Sequence, residues 1–327
     1  MKAEMVRQEM NRCGARGKPF LFGVDFEMEH GFFVENPMDD CQIPFVAGRV
    51  TNVHELPEAS VRPVPRLDIV NPDAPAYWEQ FEKVRSGLLR GDSFLLNLTA
   101  KTTISTNLSL EQIFRYSHAR YKLLLPDRLV CFSPESFVRI NGDEILSYPM
   151  KGTIDATLPE AATLLLENYK EECEHYTIVD LIRNDLNRVA DGVRVKRFRY
   201  VEKIHTLHGE ILQTSSEIAG RLPSGYRSTI GDLIFKLLPA GSISGAPKPS
   251  TLALIRKAEE QPRGYYSGVF GYFDGQNLDS AVMIRYIEKE GNRYFFRSGG
   301  GITINSKVEE EYQEMLEKIY LSIPIKR

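Results

Sequence analysis

The sequence has little of several features that mark specialised classes of protein. Its four cysteines show neither a CxxC pair nor a Cys/His spacing typical of metal sites, which predicts free thiols in a reducing compartment. The formal net charge is only −3 and the basic residues are scattered, so nothing indicates a nucleic acid or a membrane surface as a partner. No apolar run reaches membrane length and no signal peptide is recognisable, which makes a cytoplasmic location the expectation.

Nucleotide-binding motifs are missing as well. No predicted strand leads into GxGxxG or GxxxxGK[ST], which argues against a nicotinamide-dependent enzyme and against P-loop chemistry.

What the chain does have is the composition of an ordinary globular protein, long enough at 327 residues for one large domain or two smaller ones. Apolar residues at a helical period predict a helix over Tyr77–Arg90. Asn141-Gly142 is a favoured turn pair and predicts a hairpin between its flanking strands. Isolated helices that alternate with such hairpins indicate the α+β class with mostly antiparallel sheets.

Three further elements are predicted from the same patterns. A second helix is expected over Leu110–Lys122, and single uninterrupted strands are expected over Leu129–Ile140 and Asp279–Glu288.

One lysine lies in a distinctive backbone setting. In the segment SYPMKGT (147–153), Pro149 precedes Lys151 and Gly152 follows it, which predicts a kinked turn that could hold the amine at a defined point in a cleft. An exposed turn lysine is the alternative. Glu135 is expected on the facing strand, and a carboxylic acid and an amine that converge could serve as proton donor and nucleophile.

Two pairs of glutamates are spaced three residues apart in predicted helices. They are Glu171 with Glu174, and Glu311 with Glu314. Each spacing places both carboxylates on one helix face, where they repel unless a cation lies between them. Oxygen ligands without His or Cys suit Mg²⁺, and a solvated acidic face is the alternative.

Two further features could bind an anion. The run Gly299-Gly300-Gly301 is expected to follow a strand and to let backbone N–H groups approach a ligand closely, with a flexible turn as the alternative. Arg285 could pair bidentately with a carboxylate, with a surface or structural arginine as the alternative.

In their order along the chain and in their amino-acid sequences, these motifs resemble those of the chorismate-utilising enzymes, the family of anthranilate, isochorismate, salicylate and aminodeoxychorismate synthases. The resemblance extends from about residue 76 to the C-terminus. It is carried by SPESF (133–137), PMKGT (149–153), ECEHYTIVDLIRNDLNRVA (172–190), HTLHGEI (205–211), PAGSISGAPK (239–248), YYSGVFGY (265–272), AVMIRY (281–286) and SGGGITINSKVEEEYQEMLEK (298–318).

The resemblance implies a fold like that of anthranilate synthase component I, with two mostly antiparallel β-sheets packed face to face and flanked by helices. It implies a single chorismate-binding domain over residues 1–327, with a shortened N-terminal part (1–75) and a catalytic region (76–327).

The resemblance also implies a role for each candidate residue. Glu135 would protonate the leaving C4 hydroxyl of chorismate, and Lys151 would be the nucleophile. Mg²⁺ would be held by Glu174 and Glu314 directly and by Glu171 and Glu311 through water. The remaining substrate contacts would come from Thr153, His208, Tyr266, Arg285, Gly299, Gly300, Gly301 and Lys318.

Lys151 distinguishes between branches of the family, because anthranilate-type members have alanine in that turn, P-x-A-G-T. The resemblance implies that its neutral amine attacks C2 and that ammonia then enters at C4. Leu95 stands where water-using relatives have a lysine, which argues against isochorismate or salicylate chemistry.

No cysteine–histidine amidotransferase signature is visible, so the resemblance implies a separate glutamine amidotransferase subunit that supplies ammonia. Two alternatives stay open: amination at C2 as in anthranilate synthases, and a chorismate-binding subunit without catalysis. A bifunctional enzyme that also releases pyruvate is disfavoured, because no room remains for a lyase domain.

Overall fold

The computed structural model describes residues 1–39, 41–53, 64–70, 72–206 and 209–323. Within these ranges the strands form two sheets of nine strands each, and the pairings are antiparallel. The predicted α+β class with two antiparallel sheets is therefore confirmed. No helix among the described residues is long and apolar enough to cross a membrane.

The strands of the first sheet are, in spatial order, β11 (Met150–Asp155), β13 (Gly209–Arg221), β10 (Glu144–Ser147), β9 (Ser136–Asn141), β16 (Leu278–Val282), β15 (Val269–Phe273), β1 (Phe20–Val24) and β2 (Gly31–Glu35), with β12 (Asp191–Thr206) paired to β13. Those of the second sheet are β14 (Gly245–Ala246), β6 (Leu95–Thr106), β18 (Arg293–Ile302), β17 (Tyr286–Glu290), β8 (Leu129–Ser133), β7 (Tyr121–Leu125), β3 (Phe45–Ala47) and β4 (Val50–Thr51), with β5 (Leu67–Ile69) paired to β6.

The helices are α1 (Ala3–Ala15), α2 (Ala74–Leu89), α3 (Leu110–Tyr116), α4 (Ala161–Glu167), α5 (Tyr169–Leu186), α6 (Ile230–Leu237), α7 (Gly241–Ser244), α8 (Lys248–Glu259) and α9 (Val308–Glu317), with a 3₁₀ turn at Tyr226–Thr229.

The alternation of side chains along each strand separates three hydrophobic cores. In β1, Phe20 and Phe22 point to the core shared with α1, α5 and α6, while Leu21 points to the core between the two sheets. In β8, Phe132 points to the core under α2, α3, α8 and α9, while Cys131 points inward. The two sheets therefore pack face to face, with one layer of helices on each outer face.

The predicted N-terminal part (1–75) contributes strands to both sheets. Strands β1 and β2 lie at one end of the first sheet, and β3 and β4 lie at one end of the second. The boundary at residue 75 stays a prediction.

The prediction of a single strand over Leu129–Ile140 is wrong, and so is the one over Asp279–Glu288. In both places the chain leaves one sheet and enters the other: β8 ends and β9 begins around Pro134, and β16 ends and β17 begins around Arg285. Proline cannot donate to a ladder, and the backbone of Arg285 has a left-handed φ of 52°. Each feature interrupts the strand at the crossover.

These two crossovers lie side by side. The N–H of Phe132 donates to the carbonyl of Arg285 at 3.0 Å, and the N–H of Val282 donates to the carbonyl of Glu135 at 3.2 Å. Glu135 and Arg285 are thereby brought together at the junction of the two sheets.

The helix predicted over Leu110–Lys122 is shorter than expected. It begins with a capping box between Ser109 and Gln112 and ends at Tyr116. Lys122 belongs to β7, where its ammonium donates back to the carbonyls of Phe114 and Ser117. Local periodicity missed this change because sheet pairing outweighs helix propensity here.

Candidate active site

A cavity of about 590 Å³ is lined by both sheets and by α5, α7 and α9. The candidate residues that line it are Glu135, Lys151, Thr153, Glu171, Glu174, Tyr266, Arg285, Gly299, Gly301, Glu311, Glu314 and Lys318. Segments far apart in the sequence thus contribute to one cavity. Catalytic groups usually lie in cavities of this kind.

Lys151 lies in strand β11 and not in the turn that was predicted. The strand has a bulge between Lys151 and Thr153, where Gly152 has a φ of +78°. The hydroxyl of Thr214 in β13 donates to the carbonyl of Lys151, and Nζ of Lys151 donates to Oε2 of Glu174 at 3.1 Å. The bulge therefore aims the amine at the acidic side of the cavity.

Glu135 reaches the cavity from the crossover between β8 and β9. Burial raises the pKa of its carboxyl group, while the hydroxyl of Ser242 and the charges of Lys151 and Arg285 oppose that rise. Ser242 donates its hydrogen bond to Oε1 of Glu135 at 2.5 Å. A carboxyl group with a raised pKa retains its proton more readily at neutral pH, as a general acid requires.

Arg285 and Tyr266 supply hydrogen-bond donors in the same cavity. Nε of Arg285 donates to the hydroxyl of Tyr320 at 3.1 Å, and the guanidinium lies over the Tyr320 ring. Tyr266 is buried against Tyr286, and burial raises the pKa of its phenol to about 12. Tyr266 therefore stays a neutral donor at physiological pH, beside a permanent cation.

The three glycines lie inside strand β18, so the prediction that they follow a strand is wrong. They pair with residues 97–99 of β6. A Cβ atom on Gly300 would lie 3.2 Å from Oε2 of Glu311, and one on Gly301 would lie 3.6 Å from Nζ of Lys151. These glycines therefore leave room for charged side chains to approach the strand.

The candidate metal ligands line one cavity, but lysines lie beside two of them. Glu174 pairs with Lys151, and Glu314 pairs with Lys318 at 2.6 Å. Nζ of Lys318 also donates to the carbonyl of Gly299 at 2.8 Å. Among the described residues, no group of three or more His, Cys, Asp or Glu side chains is close enough together to hold a metal ion in this arrangement.

The chemistry of the donor set nevertheless fits a hard cation. The four carboxylates of Glu171, Glu174, Glu311 and Glu314 come from two helices and offer only oxygen, which Mg²⁺ prefers. The ammonium groups beside two of them show that these positions attract positive charge. The metal role of all four residues stays a prediction.

Sequence reasoning missed several polar residues of the cavity, namely Asn97, Gln213, Ser242 and Tyr320. Ser242 belongs to the small-residue run PAGSISGAPK. Its hydroxyl group could have identified it as a polar residue of the site. Asn97 could have been found from the alternation of β6, whose neighbours Leu96 and Leu98 face a helix layer. His208 lies outside the described residues.

Comparison with known proteins gives consistent matches. A family described as chorismate binding enzyme matches residues 34–323. The chain is 50% identical to a Haemophilus influenzae protein named "Uncharacterized PabA-like protein", over 97% of this chain and 96% of that one. It is 34% identical to the aminodeoxychorismate synthase component 1 of Bacillus subtilis, over 73% of this chain and 53% of that one.

Two other matches concern different members of the family. The anthranilate synthase component 1 of Archaeoglobus fulgidus is also 34% identical, over 74% of this chain and 61% of the relative. The solved structure of the menaquinone-specific isochorismate synthase of Escherichia coli is similar with a TM-score of 0.72 and 15% identity, over 97% of this chain and 80% of that chain. At that identity the structure supports the fold alone.

Proposed function

The chain belongs to the chorismate-binding enzymes, and we propose that within this family it is an aminodeoxychorismate synthase component I. In this role it converts chorismate and ammonia to 4-amino-4-deoxychorismate, the precursor of 4-aminobenzoate in folate synthesis. The observation that carries the proposal is the amine of Lys151 in the wall of the cavity, with Glu135 lining the same cavity.

The position of Lys151 supports this proposal. Its side chain is 27% exposed, and its amine reaches Glu174 on α5 instead of bulk solvent. An alanine at this position, as in the anthranilate-type turn, would leave that part of the cavity without an amine.

The proposed reaction is a pair of displacements. The amine of Lys151 bonds to C2 of chorismate while both ring double bonds shift and the C4–O bond breaks. Glu135 gives its proton to the departing oxygen, which leaves as water, and the proton lost by the attacking amine restores the acid. Ammonia then bonds to C4, the two ring double bonds shift back, and the C2–N bond breaks. The proton that ammonia loses goes to the departing nitrogen, which returns the neutral amine of Lys151.

The remaining residues of the cavity bind and orient the substrate. Arg285 and Tyr266 offer a cation and a neutral donor for the enolpyruvyl carboxylate. Thr153 lies two residues from Lys151 and faces the ring in this proposal, and Lys318 balances charge beside Glu314. When bound to the four glutamates, Mg²⁺ supplies positive charge that holds the ring carboxylate and draws electron density from the ring.

Ammonia is proposed to come from a separate glutamine amidotransferase subunit. The relatives named aminodeoxychorismate synthase component 1 carry a component number in their names, which supports an enzyme built from more than one chain.

Anthranilate-type amination at C2 is the second candidate, favoured by the equal identity to an anthranilate synthase component 1. A non-catalytic chorismate-binding chain is the third. Lys151 argues against the second candidate, because amination at C2 needs no amine from the protein. Lys151, Glu135 and the two glutamate pairs argue against the third, because binding alone needs neither a nucleophile nor an acid.

The test is mass spectrometry and chromatography of the products formed from chorismate, Mg²⁺ and either ammonium or glutamine. The proposal expects 4-amino-4-deoxychorismate with ammonium and none with glutamine from the isolated chain. Anthranilate as the main product would establish the second candidate, and unchanged chorismate would establish the third. Robust turnover with glutamine would contradict the need for a separate subunit.

A further inference from the structure

We propose that Ser242 is a positioning residue for Glu135, and that it determines which carboxyl oxygen carries the proton given to the substrate. This inference rests on the proposed function for its catalytic consequence, but the contact itself can be tested without turnover.

The contact joins two elements that are distant in the sequence. Ser242 lies on α7, Glu135 lies on the crossover between β8 and β9, and both line the cavity. The hydroxyl of Ser242 donates to Oε1 of Glu135 at 2.5 Å, which is short for a hydrogen bond between oxygen atoms.

Buried contacts fix the position of Ser242. Nη1 of Arg263 donates to the carbonyl of Ile243 at 3.2 Å, and Arg263 is only 1% exposed and paired with Glu259. The hydroxyl of Ser244 donates to the carbonyl of Ala240 at 3.0 Å. Arg263 therefore anchors the C-terminal end of the short helix α7, and the bond of Ser244 closes the helix onto its own first turn.

Buried contacts also fix the backbone of Glu135. Its N–H donates to the hydroxyl of Ser133 at 3.1 Å, and its carbonyl accepts from Val282 at 3.2 Å. With both backbones held, the approach of the Ser242 hydroxyl to Oε1 is set by the fold and not by a mobile surface.

This geometry assigns different tasks to the two carboxyl oxygens. Oε1 accepts from Ser242, so the single proton of the acid form belongs on Oε2, which remains for the substrate. As Glu135 loses that proton, negative charge develops and the bond from Ser242 becomes charge-assisted. The contact is therefore stronger in the transition state than in the ground state, which is the condition for lowering a barrier.

Three groups oppose the effect of burial on Glu135. Burial raises the pKa of the carboxyl group, and Ser242, Lys151 and Arg285 lower it. Lys151 is itself paired with Glu174, and Arg285 contacts Tyr320. A variant that removes only the hydroxyl keeps both charged neighbours, so any change can be ascribed to the hydrogen bond.

The first experiment compares Ser242→Ala and Ser242→Thr in the ammonium-dependent reaction across pH. The alanine variant is expected to lose about tenfold in kcat, as for one hydrogen bond to a charged group, with the KM for chorismate unchanged. Its loss of activity at high pH should occur at a higher pH than in the wild type. Threonine should restore both values, and the exposed Ser250→Ala on α8 is the matched control.

A purely structural role for Ser242 predicts a different result. In that case kcat would fall in the alanine variant while the pH dependence stayed where it is in the wild type, and that outcome overturns the proposal.

The second experiment needs no turnover. Carbon-13 NMR of protein labelled at the glutamate carboxyl carbon follows the titration of Glu135, whose signal is assigned by its loss in Glu135→Gln. The midpoint should move upward in Ser242→Ala and stay unchanged in Ser242→Thr and Ser250→Ala. An unchanged midpoint in Ser242→Ala overturns the proposal whether or not the enzyme is active. A shifted midpoint in a protein that does not aminate chorismate supports the positioning role of Ser242 and refutes only the proposed function.

Discussion

The amine of Lys151 lies 3.1 Å from Oε2 of Glu174, so the proposed nucleophile and a proposed metal ligand are bound to each other. An amine that donates a proton to a carboxylate in an ion pair cannot attack carbon until the pair separates. Lys318 and Glu314 form a second such pair across the cavity. In the proposed mechanism, binding of substrate and of a cation at the glutamates would therefore have to be coupled to the release of Lys151.

Lys151→Ala should reduce amination at C4 by orders of magnitude while chorismate still binds, because recognition rests on Arg285, Tyr266 and the acidic site. Trace amination at C2 is expected, since the alanine recreates the anthranilate-type turn. Product analysis measures both, and trapping with wild-type protein should place a substrate adduct on the peptide that contains Lys151. Lys18→Ala, at an exposed lysine paired with Glu35, is the control. Normal C4 amination by Lys151→Ala would exclude the covalent mechanism.

Glu174→Gln and Glu314→Gln should each abolish Mg²⁺-dependent activity without unfolding the protein, because each removes one charged oxygen ligand and relieves repulsion within its helix. Calorimetric titration of Mg²⁺ with chorismate present measures the metal affinity, and circular dichroism checks the fold. Glu309→Gln, at an exposed position in the first turn of α9, should behave as wild type. Full turnover of either ligand variant at limiting Mg²⁺ would show that the metal assignment is wrong.

Glu135→Gln should lower kcat by about 10² to 10⁴, the usual contribution of a general acid. The acid must be protonated to act, so activity of the wild type should fall as pH rises through the pKa of Glu135, which burial raises. The glutamine variant cannot titrate, and its residual activity should lack this fall. Activity of Glu135→Gln near the wild-type level would assign proton donation to another group.

Gly300→Ala and Gly299→Ala should have different effects although the residues are neighbours. A Cβ atom on Gly300 would lie 3.2 Å from the carboxylate of Glu311, so the side chain must shift, and a weaker response to Mg²⁺ with a stable fold is expected. A Cβ atom on Gly299 would lie 2.4 Å from the backbone carbonyl of Leu98, so loss of about 1–3 kcal/mol of unfolding free energy is expected. Urea unfolding and Mg²⁺ titration of both variants separate the two effects, and equal losses of stability would contradict the prediction.

Arg263→Met should lower the free energy of unfolding by about 3–5 kcal/mol, because it leaves the buried charge of Glu259 without its partner. Arg263 also donates to the carbonyls of Asn97 and Ile243, both of which line the cavity. The double variant Arg263→Met with Glu259→Gln should lose less stability than the single variant, since no uncompensated charge remains. Urea unfolding measures this, and a double variant less stable than Arg263→Met would contradict it.

The family and the α+β class can be recognised from the amino-acid sequence without the structure. The order and the amino-acid sequences of segments such as PMKGT around Lys151 identify the family. They do so because the chemistry requires particular residue types at particular places in the sequence. The helical or alternating spacing of apolar residues also predicted where most helices and strands lie, because this spacing depends only on neighbours within a few residues.

How these residues meet depends on contacts between distant segments, which become visible in the folded chain. The crossovers at Glu135 and Arg285 were predicted as continuous strands, since the local pattern does not show which sheet a strand will join. The local sequence does not show that the glycines lie inside β18, because their pairing partners lie about 200 residues earlier in the chain. Ser242 and Glu135 are 107 residues apart in the sequence, and the hydrogen bond between them exists because β-sheet pairing and buried ion pairs bring α7 to the crossover.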